Sequence, residues 1–135
     1  MLLLYYKPYC PYSIKSDKLI TKLSLPCLKI NIDNNNNIQL QLDKNYGHTT
    51  VPAVFFIKDD DNASLLNKAN TEIPSESIFI GGNDAFTEFI KNIDKLKQDN
   101  IRKIYLKYIK NDYDISYKNF LIIANNYHSH YHKSN

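Results

Sequence analysis

The stretch that decides the fold is Lys7-Pro8-Tyr9-Cys10-Pro11-Tyr12-Ser13, close to the start of the chain. An unbroken apolar run, Leu2 to Tyr6, leads into it. Ile14 to Leu23 leads out, with Ile14, Leu19, Ile20 and Leu23 at helical spacing. The pattern reads as strand, tight turn, helix, with Cys10 on the turn. Pro11 then suits the first helical position, where no N–H is required. The Cys10 sulfur is thereby placed at the positive end of a helix, whose unpaired N–H groups favour negative charge. Lys7, three residues upstream, can curl back toward it. Both effects lower a thiol pKa, and the thiolate is the nucleophilic form.

Outward from this stretch the elements alternate. Pro26 ends the helix, and Cys27 to Ile32 alternates as a second strand. Strand, helix and strand within about thirty residues imply parallel strands joined by a right-handed crossover. Asp33 is placed to cap a second helix, with Ile38, Leu42 and Tyr46 on one face and Gly47 as its C-cap. Ala53 to Ile57 is a further apolar strand. Lys58 to Glu76 is polar and turn-rich, and reads as a loop or irregular hairpin. Ser77 to Ile80 is a short strand. Gly81-Gly82-Asn83-Asp84 then opens a helix with Phe86, Phe89, Ile90 and Ile93 on its apolar face. Two more helical segments follow. One places Ile101, Ile104, Tyr105, Tyr108 and Ile109 on a face, and the other runs from Tyr117 to Tyr127. His128 to Asn135 reads as a frayed polar end.

Composition narrows the function. The 135 residues suit a single domain, and 43% hydrophobic with 23% charged residues is ordinary for a globular chain. A net charge of +3 is too mild to argue for nucleic acid. The apolar run at Leu2–Tyr6 is too short for a signal peptide and has no basic residues before it. No stretch approaches the ~20 apolar residues that span a bilayer. Two cysteines, Cys10 and Cys27, do not make a secreted disulfide scaffold, so a reducing, cytoplasmic setting is expected. Cys27 opens a buried strand and reads as an inert core thiol, with a resolving cysteine as the lesser alternative. No metal is expected: His128, His130 and His132 read as a flexible tail rather than a zinc or copper site. Asp59-Asp60-Asp61 lacks the spacing and closing glutamate of a calcium loop. The Lys/Tyr-rich segment from Arg102 to Lys118 reads as a helix packing its apolar face rather than as a nucleic-acid surface.

Three motifs, in chain order, resemble the glutaredoxin family. Cys10-Pro11-Tyr12-Ser13 after a strand is similar to that family's Cys-Pro-Tyr-Cys, with Ser13 in place of the second cysteine. Thr50-Val51-Pro52 before an apolar strand resembles its Thr-Val-Pro, in which the proline is cis. A cis bond there turns the chain so that Val51 presents its N–H and C=O to the site. An extended peptide can pair with those groups like an added strand. Ile80-Gly81-Gly82-Asn83-Asp84 resembles the family's Gly-Gly-x-Asp, where glycine permits close approach and a helix N-terminus receives a carboxylate.

The resemblance covers Met1 to about Leu96. It implies a thioredoxin-like α/β sandwich, a four-stranded mixed sheet flanked by helices. Residues 1–97 would form that domain with an insertion at 58–76, and residues 98–135 a C-terminal helical extension. It also implies glutathione as co-substrate and Cys10 as nucleophile, assisted by Lys7 and Ser13. The glutathione groove would comprise Lys7, Tyr12, Gln39, Thr50, Val51, Pro52, Gly82, Asn83 and Asp84. Lys7 and Gln39 would hold the glycine carboxylate, and the Gly82 corner the γ-glutamyl end, with Asp84 facing its amino group.

Ser13 cannot release a disulfide-bound protein as a second thiol does. The expected chemistry is therefore monothiol reduction of protein–glutathione mixed disulfides, or deglutathionylation. The expected protein is a monomer whose partners are glutathione and glutathionylated proteins, not nucleic acid or membrane. Two alternatives stay open. An iron–sulfur carrier would join two chains through Cys10 and two glutathiones. Such relatives usually carry Cys-Gly-Phe-Ser, and Pro11 here stiffens the loop. A non-catalytic interaction module would keep the fold and bind through the C-terminal extension, against which intact Cys10, Lys7 and Pro52 argue.

Overall fold

The computed structural model describes residues 1–57, 67–94, 101–109 and 115–133. Asp59-Asp60-Asp61 and the side chains of His128, His130 and His132 lie outside the described residues. The chain divides into two compact units, Met1–Phe86 and Thr87–Asn135.

The first unit is built on strand β1 (Leu2–Tyr6), in which Leu2 to Tyr5 are all buried. Burial on both faces demands an apolar run rather than an alternating one, and this run supplies it. β1 pairs in parallel with β2 (Cys27–Asn31) and antiparallel with β3 (Ala53–Phe56), which pairs antiparallel with β4 (Ile78–Gly81). The order β2-β1-β3-β4 makes a mixed four-stranded sheet. Helix α1 (Pro11–Lys22) connects β1 to β2, α2 (Asn36–Tyr46) follows β2, and α3 (Asn83–Asp94) follows β4. This is the thioredoxin-like arrangement.

One core gathers Leu3, Tyr5, Ile30, Ala53 and Phe55 from the sheet with Ile38 and Leu42 from α2. Each such side chain contributes roughly 1.5–3 kcal/mol on burial. Rings interlock within it: Tyr46 stands edge-on to Phe55, centroids 5.1 Å apart. Leu2, Leu4, Val54 and Phe56 are buried on the opposite side of the pleat.

The structure departs from the sequence pattern at several places. α1 starts at Pro11, as the proline implies, but its buried residues are Ser13, Ser16 and Ile20, whereas Ile14 is exposed. The serines are buried because their hydroxyls are satisfied. Ser13 Oγ accepts the Lys7 N–H (3.3 Å), and Ser16 Oγ donates to Asn83 Oδ1 (2.9 Å). α1 closes at Ser24, which takes a left-handed φ of 52° before Pro26 is reached. α2 is capped by Asn35 rather than Asp33; the Asn35 side chain accepts the Ile38 N–H at 3.2 Å. Gly47 is the left-handed C-cap, as its position implied.

Residues 67–76, expected as part of a polar loop, contain a helical turn at 67–69 and bury Ala69 and Ile73. Amides of α2 and its N-cap hold this segment by its backbone. Asn35 donates to Asn70 O (2.7 Å), Asn37 to Thr71 O (2.9 Å), and Gln41 Oε1 accepts the Ile73 N–H (2.9 Å).

The second unit holds the later turns of α3 with α4 (Ile101–Ile109) and α5 (Tyr117–Lys133). Phe89 meets Tyr108 and Phe120 edge-on at 5.4 and 5.3 Å, and all three are buried. The helical backbone of α5 continues to Lys133, where a frayed end from His128 was expected. No glycine or proline lies in that stretch to stop it. No helix among the described residues is long and apolar enough to cross a membrane.

Gly81 ends β4 at a φ of 133°, and a Cβ there would stand 2.7 Å from the Ala85 Cβ. Gly81→Ala is expected to destabilise the protein by about 2 kcal/mol or more. Urea unfolding reads this directly; an unchanged midpoint would contradict the packing described.

Candidate active site

The β1–β3 register sets Tyr5 opposite Ala53. The chain leaving β1 and the chain arriving at β3 therefore share one edge of the sheet. After β1 the backbone turns, with Cys10 N–H donating to Lys7 O at 3.1 Å. Cys10 is the extended N-cap residue of α1, with Pro11 as the first helical residue. On the facing loop the Val51–Pro52 bond is cis. The two loops touch: the Cys10 thiol donates to Val51 O at 3.7 Å.

A cleft of about 310 Å³ opens beside the sulfur. Of the residues singled out in the sequence, Lys7, Cys10, Tyr12, Gln39, Thr50 and Val51 line it. Ser13 and Pro52 are buried and do not line it, Ser13 lying under the Lys7 turn. Gly82, Asn83 and Asp84 are not in the lining. Gly82 instead stands against its wall: a Cβ there would lie 3.3 Å from His48 Cε1 and 3.6 Å from Pro52 O. Asn83 is engaged by Ser16, and Asp84 is exposed. Gln39 Nε2 donates to Ile32 O at 2.8 Å, which commits one of its two amide protons.

Four lining residues had no prior signal: Ile32, Leu42, His48 and Thr49. Ile32 and Leu42 read only as core positions. His48 and Thr49 immediately precede Thr50-Val51-Pro52, and that adjacency was the available clue.

The state of the sulfur is a contest of opposing effects. Partial removal from water raises the Cys10 pKa. The backbone N–H groups of Ser13 and Tyr12, the Ser13 hydroxyl and the Lys7 charge lower it, and together they prevail. No capping hydrogen bond closes between the sulfur and the helix in the thiol form. The amides therefore act as a field that rewards ionisation, not as partners of the thiol. Ser13 accepts from Lys7 N–H while its own proton favours the thiolate.

Cys27 is the opposite case. Burial pushes its thiol up to about 12, and the nearby Asp17 charge adds to the rise. The residue is only half-buried, but its sulfur faces inward, donating to Leu28 O at 3.5 Å. Cys27 pairs with Leu2, at the end of β1 remote from Cys10. Four residue steps of strand separate that row from Tyr6, about 13 Å, against the ~7 Å Cα separation a disulfide tolerates. Cys27 is not placed to resolve a disulfide at Cys10. Among the described residues no group of three His, Cys, Asp or Glu side chains gathers as a metal site.

Residues 2–60 match the Glutaredoxin family model. Through this stretch the chain is similar to the glutaredoxin family. The matched residues include Cys10 to Ser13 and Thr50 to Pro52, but stop short of Gly81. No curated protein matches the chain. Solved glutaredoxins similar to it include one from wheat, at 28% identity over 67% of this chain and 71% of that one, TM-score 0.46. A buckwheat glutaredoxin in complex with glutathione is 26% identical over 67% and 68% of the two chains, TM-score 0.49. A dithiolic glutaredoxin from Trypanosoma brucei brucei is 22% identical over 67% and 76%, TM-score 0.47.

The two cysteines are expected to separate sharply under alkylation. Iodoacetamide at pH 7 should label Cys10 in the folded protein and Cys27 only after unfolding, as read by mass spectrometry. Ser13→Ala should slow labelling of Cys10 several-fold by removing a hydroxyl that favours the thiolate. Equal labelling of both cysteines would contradict the assignment.

Proposed function

We propose that this chain is a glutaredoxin that carries out glutathione-dependent monothiol exchange, reducing protein–glutathione mixed disulfides through Cys10. The observation that carries the reading is the sulfur itself. Its pKa is lowered, and it lies at a cleft whose lining holds Lys7 and no carboxylate. Such a cleft favours an anionic peptide.

In the first step the Cys10 thiolate attacks the glutathione sulfur of the mixed disulfide. A Cys10–glutathione disulfide forms, the old disulfide breaks, and the protein sulfur leaves as a thiolate that takes a proton from water. In the second step a free glutathione thiolate attacks the glutathione sulfur held on Cys10. Oxidised glutathione leaves and the Cys10 thiolate returns. One protein disulfide is reduced for two glutathiones joined, so electrons balance. Ser13 has no sulfur to compete with the second glutathione, and Cys27 is remote.

Val51 O links binding to ionisation. It accepts the thiol proton in the free protein. Once Cys10 ionises, the carbonyl is released to accept a peptide N–H from a bound tripeptide, in the manner of an added strand. Lys7 and the remaining Gln39 amide proton are then available to a terminal carboxylate. Tyr12, Thr50, Pro52 and the Gly82-Asn83-Asp84 corner complete the proposed groove.

Turnover of a glutathionylated peptide, coupled to glutathione oxidation, tests this. Wild-type protein should be active, Cys10→Ser should fall to the uncatalysed rate, and Cys27→Ser should match wild type. An inactive wild type with Cys10 reduced would overturn the proposal and favour a binding module.

A further inference from the structure

Of the residues that line the cleft, two carry basic groups, Lys7 and His48. His48 is half-buried, and one ring nitrogen, Nε2, lies 3.0 Å from Pro52 O. A proline carbonyl can only accept, so Nε2 carries the proton and the neutral tautomer is fixed. A second proton therefore goes to Nδ1, and the contact with Pro52 survives it. The ring is also held from the side by Phe79 of β4, edge-on at 5.2 Å. It abuts Gly82, whose missing side chain leaves room for its Cε1 edge.

His48 thus joins the two parts of the site that the cleft alone does not connect: the Cys10–Val51 side and the Gly82 corner. We propose that His48 is a positioning residue of the cleft, supplying a protonatable cation that binds a carboxylate of the tripeptide substrate. The inference rests on the glutathione reading above and extends it to a residue that none of the three motifs contains. Imidazole is the side chain whose charge ordinarily changes between about pH 5 and 8, and a comparison across that range is the direct way to look for the contribution. The titratable and charged groups around it are Lys7, Cys10 and Tyr12 in the same cleft lining, Tyr46 against Phe79, and Asp84 two residues beyond Gly82 in the chain. A thiolate at Cys10 is not needed for binding and can be removed from the test.

The test measures the affinity of S-methylglutathione, which cannot react, by calorimetry on Cys10→Ser protein at pH 6 and pH 8. With His48 present, binding should be about fivefold tighter at pH 6, the scale of one partly exposed ion pair. His48→Gln keeps an N–H for Pro52 O but gains no charge. It should bind equally at both pH values, with the affinity His48 protein shows at pH 8. His48 Cε1–H, followed by proton NMR in the unmutated cleft, should shift when the ligand is added. The same pH dependence in His48→Gln, or an unmoved His48 resonance with ligand bound, would overturn the inference and leave the glutathione reading standing. No binding at either pH would overturn both.

Discussion

The antiparallel pairing of β1 with β3, Leu2 opposite Phe56 through Tyr5 opposite Ala53, fixes which loops can meet. Hydrophobicity alone does not choose this register, because both strands are apolar on both faces. Tyr5 does. Its ring lies edge-on to Phe55 at 5.9 Å, and its hydroxyl donates to Ala69 O at 2.8 Å. A slip by one residue would turn that side chain to the other face of the sheet. A buried hydroxyl would then lose its partner, at a cost of about 1–3 kcal/mol. The segment carrying Ala69 is in turn pinned to α2 by Asn35, Asn37 and Gln41. The long polar connection after β3 therefore contributes to the placement of Cys10 beside Val51.

The chemistry grows out of that placement through small, opposed electrostatic effects. The sulfur is partly desolvated, which favours the thiol, and the Val51 carbonyl accepts its proton. Against this stand two helix N–H groups, a hydroxyl and a lysine. Cys27 shows the opposite balance: at the remote end of the sheet, burial outweighs the Lys29 charge and a backbone N–H, and the group is held as an unreactive thiol. One chain thus contains both outcomes of the same physics, and the difference lies in how deeply each sulfur is buried and which groups face it.

Much of this was legible in the residues. The β1 run, the Pro11 start signal, the Gly47 cap and the Gly81 break each have a local cause, and each appears where its cause predicts. What was hidden had non-local causes. Ser13 and Ser16 look like solvent-facing residues until Lys7 N–H and Asn83 supply their partners. Asn35 rather than Asp33 caps α2, a choice among polar residues that pattern alone cannot rank. Ala69 and Ile73 sit in a stretch whose polarity masks two core contacts. His48 carries no motif of its own, and only the folded loop brings it against Pro52 O and Gly82.

The central claim is that the Cys10 pKa is lowered because of where α1 begins. The direct measurement is thiolate absorbance against pH in the Cys27→Ser protein, repeated with Lys7→Gln and Ser13→Ala. An apparent pKa below the free thiol's ~8.5, rising in both variants, is the predicted result. A value at or above that of a free thiol, unmoved by either substitution, would contradict it.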